Sequence, residues 1–232
     1  MPAIELPPDE LQKRLAPIAV RNIRRLAGGA SSLTYAGSMG DGRDVVVKVA
    51  PAGVPPILNR DVLRQARLLR ALKETDVPVP EVLWEDGGDP PGSPPLFVMS
   101  HIEGSSLEPL FDLEGAEDIA TVAERLRSAI RVMASMHRLD PRALGLLDDE
   151  PVAGPAEEVD RWSRLLETVD PSIAPDWQDV AAALRGKEPL APAPAIVHGD
   201  FRLGNMLAVG ATIAAVIDWE IWSIGDPGST WD

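Results

Sequence analysis

Cysteine is absent from this chain of 232 residues, and histidine occurs only at His101, His137 and His198. The lack of cysteine excludes disulfide bonds and thiolate metal ligands, and three histidines so far apart do not have the spacing of a zinc site. A chain without disulfides suits a reducing compartment. We therefore expect a cytoplasmic protein.

Long hydrophobic runs are also missing, since no apolar segment approaches the roughly 20 residues that a membrane-spanning helix needs. The segment Met1–Pro8 lacks the basic start and the apolar core of a secretory signal. Hydrophobic residues nevertheless make up 45% of the chain, which supports a substantial core. The sequence predicts no membrane partner and either one large domain or two small ones that share a cleft.

Positive charge is scarce in most of the chain. Residues 1–80 contain twelve Lys or Arg against eight Asp or Glu, whereas residues 81–232 contain ten against twenty-eight, and the net charge is −14. A basic first part suits a polyanionic nucleotide, and an acidic second part would attract a cationic co-substrate and repel nucleic acid. Acidic residues that only keep the protein soluble would give the same totals, so both explanations stay open.

Polar functional residues are densest between residues 195 and 220. Two short apolar runs end there in Asp200 and Asp218, and Asn205 lies between them. Asp200 can accept the proton of an attacking hydroxyl, while Asn205 and Asp218 offer the hard oxygen ligands that Mg²⁺ prefers. Any one of these residues would more often be a turn former, but their combination favours phosphoryl transfer.

The run H-G-D-x-x-x-x-N at 198–205, followed by I-D-W-E at 217–220, resembles the signature of the aminoglycoside phosphotransferase family in the kinase-like superfamily. The resemblance implies an α+β, two-lobed, protein-kinase-like fold. We expect a β-rich nucleotide-binding lobe over residues 1–99, a hinge over 100–104 and a mainly helical catalytic lobe over 105–232. More helices follow in the family, so the catalytic lobe is expected to be incomplete.

A small-residue loop joins two predicted strands, residues 23–26 and 33–36. Its residues Gly28, Gly29, Ser31 and Ser32 would let backbone N–H groups approach phosphate oxygens, although an ordinary hairpin loop has the same composition. The resemblance favours the phosphate-binding interpretation.

Lys48 interrupts a β-branched run, residues 44–49, that we expect to be a buried strand. A lysine in such a strand either meets an anion or points to water from an edge. After a glycine-rich loop, the strand resembles the one whose lysine holds the α- and β-phosphates of the nucleotide in kinases.

Residues 58–73 show helical periodicity, with Leu58 and Val62 starting an inward stripe in which Gln65 has a place. The resemblance implies a glutamate that pairs with the phosphate-binding lysine, and this chain has Gln65 there. A glutamine accepts a hydrogen bond but supplies no charge. Asp61, one turn earlier, is the alternative partner for Lys48.

The predicted strand 96–99 leads into Ser100 and Ile102, which resemble the hinge positions whose backbone groups hydrogen-bond the adenine. Helices are predicted at residues 8–16, 156–168 and 174–185, and a long one is predicted from residue 119 to an end at residues 139–141. His137 lies on the apolar face of this long helix, and we interpret it as structural.

Together these features predict transfer of the γ-phosphoryl group from ATP or GTP, with Mg²⁺, to a hydroxyl of a small molecule. The acidic second part suits an amine-bearing acceptor such as an aminoglycoside. Gly199 stands where protein kinases have arginine, and D-W-E replaces their D-F-G, which argues against a protein substrate. The alternatives are a nucleotide-binding protein without turnover and a metal-dependent phosphate-ester hydrolase, which would leave Lys48 unexplained.

Overall fold

The structure is a computed structural model, and it describes residues 6–26, 31–108, 118–185 and 193–230. Its first half is dominated by one sheet and its second half by helices. No helix in these ranges is long and apolar enough to cross a bilayer. This mixture confirms the predicted α+β class.

Five antiparallel strands form the sheet of the first half, in the order β1-β2-β3-β5-β4. They are β1 (Arg21–Arg25), β2 (Leu33–Ser38), β3 (Asp44–Val49), β4 (Val82–Asp86) and β5 (Leu96–Ser100). The alternating valines of β3 are fully buried, and helix α1 (Pro8–Leu15) adds Leu11 and Leu15 to the same cluster. β3 therefore lies inside the sheet, which places Lys48 in the interior of the molecule.

Helix α2 (Val62–Leu72) covers the other face of the sheet and starts later than predicted. Leu58 falls in a short 3-10 helix, Leu58–Arg60, and is 76% exposed, so its place in the inward stripe was wrong. The Asp61 side chain accepts hydrogen bonds from the N–H groups of Leu63 and Arg64 and so begins the helix. Gln65 is buried, as the stripe predicted.

The described residues of the second half form the α-helices α3 (Ile119–His137), α4 (Pro155–Leu166) and α5 (Trp177–Leu184). They also form the short strands β6 (Val152–Ala153), β7 (Ala195–Val197), β8 (Met206–Val209), β9 (Thr212–Val216) and β10 (Ser223–Gly225). β6, β10 and β7 form one small sheet, and β8 pairs with β9 in a hairpin. The predicted long helix starts at Ile119 as expected and ends at His137, just before the predicted end at residues 139–141, and the next two helices are also shorter than predicted.

One hydrophobic cluster connects the two halves. Leu69 of α2 belongs to the same buried cluster as Met136 of α3 and as Phe201, Trp219 and Trp222 of the motif region. Tight packing of this kind holds the backbone of the motif loops in place. The polar residues of the motifs are therefore attached to backbone that is anchored in the core, and they do not lie on free surface loops.

Candidate active site

His198 joins the two halves of the motif, although it is completely buried. Its Nδ1 accepts the backbone N–H of Asp200 at 3.2 Å, and its Nε2 donates to the carbonyl oxygen of Ile217 at 3.0 Å. This assignment fixes the neutral Nε2–H tautomer. Burial lowers the pKa of His198 to about 4, which keeps the ring uncharged at neutral pH.

Gly199 has a backbone conformation that requires glycine. Its φ is +86°, and a Cβ atom added there would lie 2.8 Å from the Ile221 carbonyl oxygen. Both the left-handed conformation and the close approach exclude a side chain. The sharp turn that results delivers Asp200 directly after β7.

Asp200 and Asn205 are linked through the Asn205 amide nitrogen. Asn205 Nδ2 donates to the Asp200 carbonyl oxygen at 3.0 Å and to Asp200 Oδ2 at 2.6 Å. Because the side-chain nitrogen of Asn205 donates both of these hydrogen bonds, its side-chain oxygen faces away from Asp200. That oxygen is available to a cation.

The sequence analysis missed a charged pair beside Asp200. Arg202 Nε donates to Asp200 Oδ1 at 2.8 Å, and Arg202 Nη1 donates to Glu108 Oε2 at 2.5 Å. Gly204 leaves the space for this pair, because a Cβ there would lie 2.3 Å from Arg202 Nη1. The position of Arg202 inside the motif was the available signal, whereas nothing in the sequence pointed to Glu108.

Lys48 and Asp218 form the ion pair at the centre of the site. Lys48 Nζ lies 2.7 Å from Asp218 Oδ1, and the side chains are 9% and 37% exposed. Asp218 has the left-handed conformation, with φ of 66°. The Ile217 N–H donates to the Asn205 carbonyl oxygen at 2.9 Å, which brings the two proposed metal ligands together.

Gln65 lines a small cavity that it shares with Lys48 and Asp218. The space measures about 10 Å³, and Phe97 and Met99 are among its apolar walls. Gln65 is 2% exposed, and within the described ranges its Nε2 has no hydrogen-bond partner. Asp61, the alternative partner, caps α2 instead, so Lys48 pairs with Asp218 and not with a residue of α2.

The loop before β2 reaches the I-D-W-E motif. Ser31 Oγ donates a short hydrogen bond to Glu220 Oε2. Burial raises the pKa of Glu220, the Ser31 bond opposes this shift, and the Asp218 charge adds to it. Ser32 is also buried, but Gly28 and Gly29 lie outside the described residues.

The predicted hinge follows β5. The Ser100 N–H donates to the Glu81 carbonyl oxygen at 2.9 Å, and the His101 N–H donates to the Asp44 carbonyl oxygen at 3.2 Å. In the part of the chain that the structure describes, the Ile102 N–H makes no backbone hydrogen bond. The Ile102 N–H thus lies directly after β5 without a backbone partner among the described residues, as do the N–H groups of Glu103 and Gly104.

The oxygen atoms of the site are of the kind that Mg²⁺ prefers as ligands. Among the described residues, no group of three or more His, Asp or Glu is placed to hold a metal ion. Asn205 and Asp218 supply two hard oxygen ligands, and a magnesium ion commonly completes its shell with phosphate oxygens and water. The site is therefore suited to a metal that arrives with a nucleotide.

A strand-rich half and a helical half, with an interior lysine paired to an aspartate of the motif, define a kinase-like fold. Solved structures confirm this class. Macrolide 2'-phosphotransferase MphH from Brachybacterium faecium is 23% identical with a TM-score of 0.67, and the match covers 96% of this chain and 75% of that one. A thermostable mutant of aminoglycoside phosphotransferase APH(4)-Ia, in complex with ADP and hygromycin B, is 20% identical with a TM-score of 0.69, covering 96% and 73%.

The chain belongs to the phosphotransferase enzyme family, APH, whose model matches residues 22–229. The resemblance drawn from the H-G-D and I-D-W-E motifs is thereby confirmed. A mouse protein, acyl-CoA dehydrogenase family member 10, is 28% identical over 204 residues, which cover 86% of this chain. The matched segment spans only 19% of that mouse protein.

Proposed function

We propose that the protein transfers the γ-phosphoryl group of ATP or GTP to a hydroxyl of a small molecule. The observation that carries this proposal is the Lys48–Asp218 ion pair beside the linked side chains of Asp200 and Asn205. A cation for the phosphates, oxygen ligands for a metal and a carboxylate for the acceptor are the three parts that phosphoryl transfer requires.

Each of these residues has a proposed role. Lys48 binds the phosphates, and Asn205 and Asp218 hold Mg²⁺, which when bound neutralises the phosphate charge. Asp200 orients the acceptor hydroxyl and takes its proton. His198, buried and neutral, keeps the backbone of Asp200 fixed relative to Ile217 and so sets the distance between the two motifs.

The remaining nucleotide contacts are proposed for the first half of the chain. The phosphates would lie against Gly28, Gly29, Ser31 and Ser32, and Gln65 would stand behind Lys48. The adenine would meet the Ser100 carbonyl oxygen and the Ile102 N–H, because the Ser100 N–H is already used by Glu81. This assignment corresponds to a nucleotide lobe over residues 1–99, a hinge over 100–104 and a catalytic lobe over 105–232.

The acceptor proposed here is a small, hydroxylated, amine-bearing compound. The names of the structural relatives include macrolide and aminoglycoside phosphotransferases, and APH(2'')-IIa was solved with streptomycin and ATP. The excess of acidic residues after residue 80 favours a cation and disfavours nucleic acid. The location that we propose is the cytoplasm, which contains the nucleotide.

A panel of hydroxylated compounds, incubated with ATP or GTP and with or without Mg²⁺, tests this proposal. Phosphorylated product that appears only with nucleotide and Mg²⁺ supports it. Nucleotide binding without product from any compound supports the second candidate, a binding protein without turnover, which the unpartnered amide of Gln65 favours. Phosphate released from esters in the absence of nucleotide contradicts both.

A further inference from the structure

Helix α2 carries an arginine that the candidate site does not use. Arg64 Nε and Nη2 donate to Glu150 Oε1 and Oε2 at 2.8 and 2.9 Å, so the ion pair is bidentate. Arg64 Nη2 also donates to the Trp222 carbonyl oxygen at 2.6 Å, and the guanidinium carbon lies 4.4 Å from the centre of the Trp222 ring. One guanidinium thus joins three distant parts of the chain.

This contact is largely buried, since the side chains of Arg64 and Glu150 are only 14% and 8% exposed. A buried ion pair adds little net stability over apolar packing, but a bidentate one fixes direction as well as distance. The effect of the Arg64–Glu150 pair is therefore on how the joined elements are oriented.

Strand pairing explains why Glu150 and Trp222 lie side by side. β6 and β10 are parallel neighbours with Val152 opposite Ile224, and Glu150 and Trp222 stand just before these strands. Trp222 also follows directly on the 3-10 helix that begins after Asp218. Through Trp222, Arg64 is connected to the segment that carries the proposed metal ligand.

On its other side, α2 has no charged link to the phosphate-binding lysine. Gln65 is neutral, and Lys48 is paired with Asp218. The most buried ion pair of α2 therefore runs to the second half of the molecule, through the residue that precedes Gln65.

We propose that Arg64 and Glu150 are positioning residues, which hold α2 and the Asp218 segment in register in place of an ion pair between α2 and Lys48. This inference rests on the proposed function. Neither residue lines the cavity that Gln65 shares with Lys48 and Asp218. They act through Gln65, adjacent to Arg64 on the helix, and through Trp222 at the end of the Asp218 segment.

Two Glu→Gln substitutions give a matched test, because Arg70 of α2 has its own glutamate partner. Arg70 pairs with Glu85 of β4, and these side chains are 44% and 43% exposed. Glu150→Gln and Glu85→Gln change the same atoms. Glu85→Gln takes the carboxylate from Arg70, and Glu150→Gln takes it from Arg64 and from Arg67, whose Nη2 lies 3.4 Å from Glu150 Oε1. Only Glu150→Gln loosens the connection to the second half of the molecule.

The expected result is a fall in kcat of about ten- to a hundredfold for Glu150→Gln, with a raised KM for the Mg²⁺-nucleotide. Glu85→Gln should stay within about twofold of the unmodified protein on both constants. Equal losses in the two variants, or a Glu150→Gln variant that only unfolds at a lower temperature while kcat and KM are kept, would overturn the proposal.

Arg64→Lys is the second variant, and it keeps the charge but cannot make the bidentate contact. We expect a kinetic loss like that of Glu150→Gln. Normal kinetics in Arg64→Lys would overturn the proposal, because charge without geometry would then suffice.

Hydrogen exchange separates this inference from the proposed function, since it needs no substrate. In Glu150→Gln, amides of residues 62–72 and 218–225 should exchange faster together, whereas Glu85→Gln should leave residues 218–225 unchanged. Faster exchange confined to residues 149–153 overturns the inference. If the unmodified protein turns over no nucleotide, the proposed function fails, and hydrogen exchange alone decides whether Arg64 and Glu150 set the register.

Discussion

Lys48 Nζ lies 2.7 Å from Asp218 Oδ1, across 170 positions of sequence. The residue proposed for the phosphates and the residue proposed for the metal thus neutralise each other. Bound Mg²⁺-nucleotide offers each of them a new partner of opposite charge, so binding would exchange one set of ion pairs for another. The ion pair keeps the interior lysine from being an unpaired buried charge until nucleotide arrives.

Asp218→Asn should weaken nucleotide binding in the presence of Mg²⁺ by about tenfold or more, because a neutral amide is a poorer ligand than a carboxylate. Titration calorimetry with and without Mg²⁺ measures the effect. Asp61→Asn is the matched control, since Asp61 caps α2 and asparagine caps equally well. Unchanged Mg²⁺-dependent affinity in Asp218→Asn would remove this residue from the metal site.

Asp200→Asn should lower turnover by about 10²- to 10⁴-fold, the usual contribution of a general base. Nucleotide affinity should change little, because Asp200 acts on the acceptor. Steady-state kinetics beside equilibrium nucleotide binding separates the two effects. A parallel loss of affinity and turnover would place Asp200 on the nucleotide side of the site.

Gly199→Ala should destabilise the fold by more than the roughly 1–2 kcal/mol that a left-handed residue costs, because the added Cβ also meets the Ile221 carbonyl oxygen. Gly210→Ala is the matched control. Its φ is +58°, but an added Cβ there meets nothing within 4 Å. Denaturant unfolding should show the larger loss for Gly199→Ala, and equal losses would mean that the turn at Gly199 relaxes.

Gln65→Glu should give Lys48 a charged partner on α2. Such charge-assisted hydrogen bonds contribute roughly 1.5–3 kcal/mol, and less where solvent enters. We expect tighter nucleotide binding or faster turnover. Gln65→Leu, which fills similar space without polar atoms, should show no gain. Small and equal effects from both would leave Lys48 without a partner on α2 and would favour binding without turnover.

The free energy of unfolding should fall as the pH is lowered from 6.5 to 4, because His198 is protonated more readily in the unfolded state than in the folded state. Its pKa is lowered from the usual 6.5 to about 4 by burial, so above pH 6.5 neither the folded nor the unfolded state is protonated there. As the pH falls below 6.5, only the unfolded state gains the proton, and up to roughly 3 kcal/mol of stability is lost by pH 4.

NMR titration of the His198 ring measures this shift directly. Denaturant unfolding at pH 7 and at pH 5 then shows whether the free energy of unfolding falls over the same pH range. Protonation of His198 near pH 6.5 in the folded protein would contradict its buried, hydrogen-bonded position.

Local pattern was enough to predict several elements from the sequence. The β-branched run at residues 44–49 forms β3 within the same bounds, and apolar spacing predicted α3 with its start at Ile119 and its end within a few residues of His137. The spacing of H-G-D, Asn205 and I-D-W-E identified the family, because both halves of that motif lie within a short stretch of chain. Periodicity and spacing are local properties, and one sequence displays them fully.

Tertiary structure decided which charges meet. Leu58 lies outside α2 because the Asp61 side chain caps the start of that helix. The same capping hydrogen bonds use the Asp61 carboxylate, which therefore does not pair with Lys48. Arg64 forms an ion pair with Glu150, which is 86 positions away in the sequence. Arg202 forms an ion pair with Glu108, which is 94 positions away. Such pairs depend on how helices and strands pack in three dimensions, and no local periodicity encodes a distance between residues so far apart in the chain.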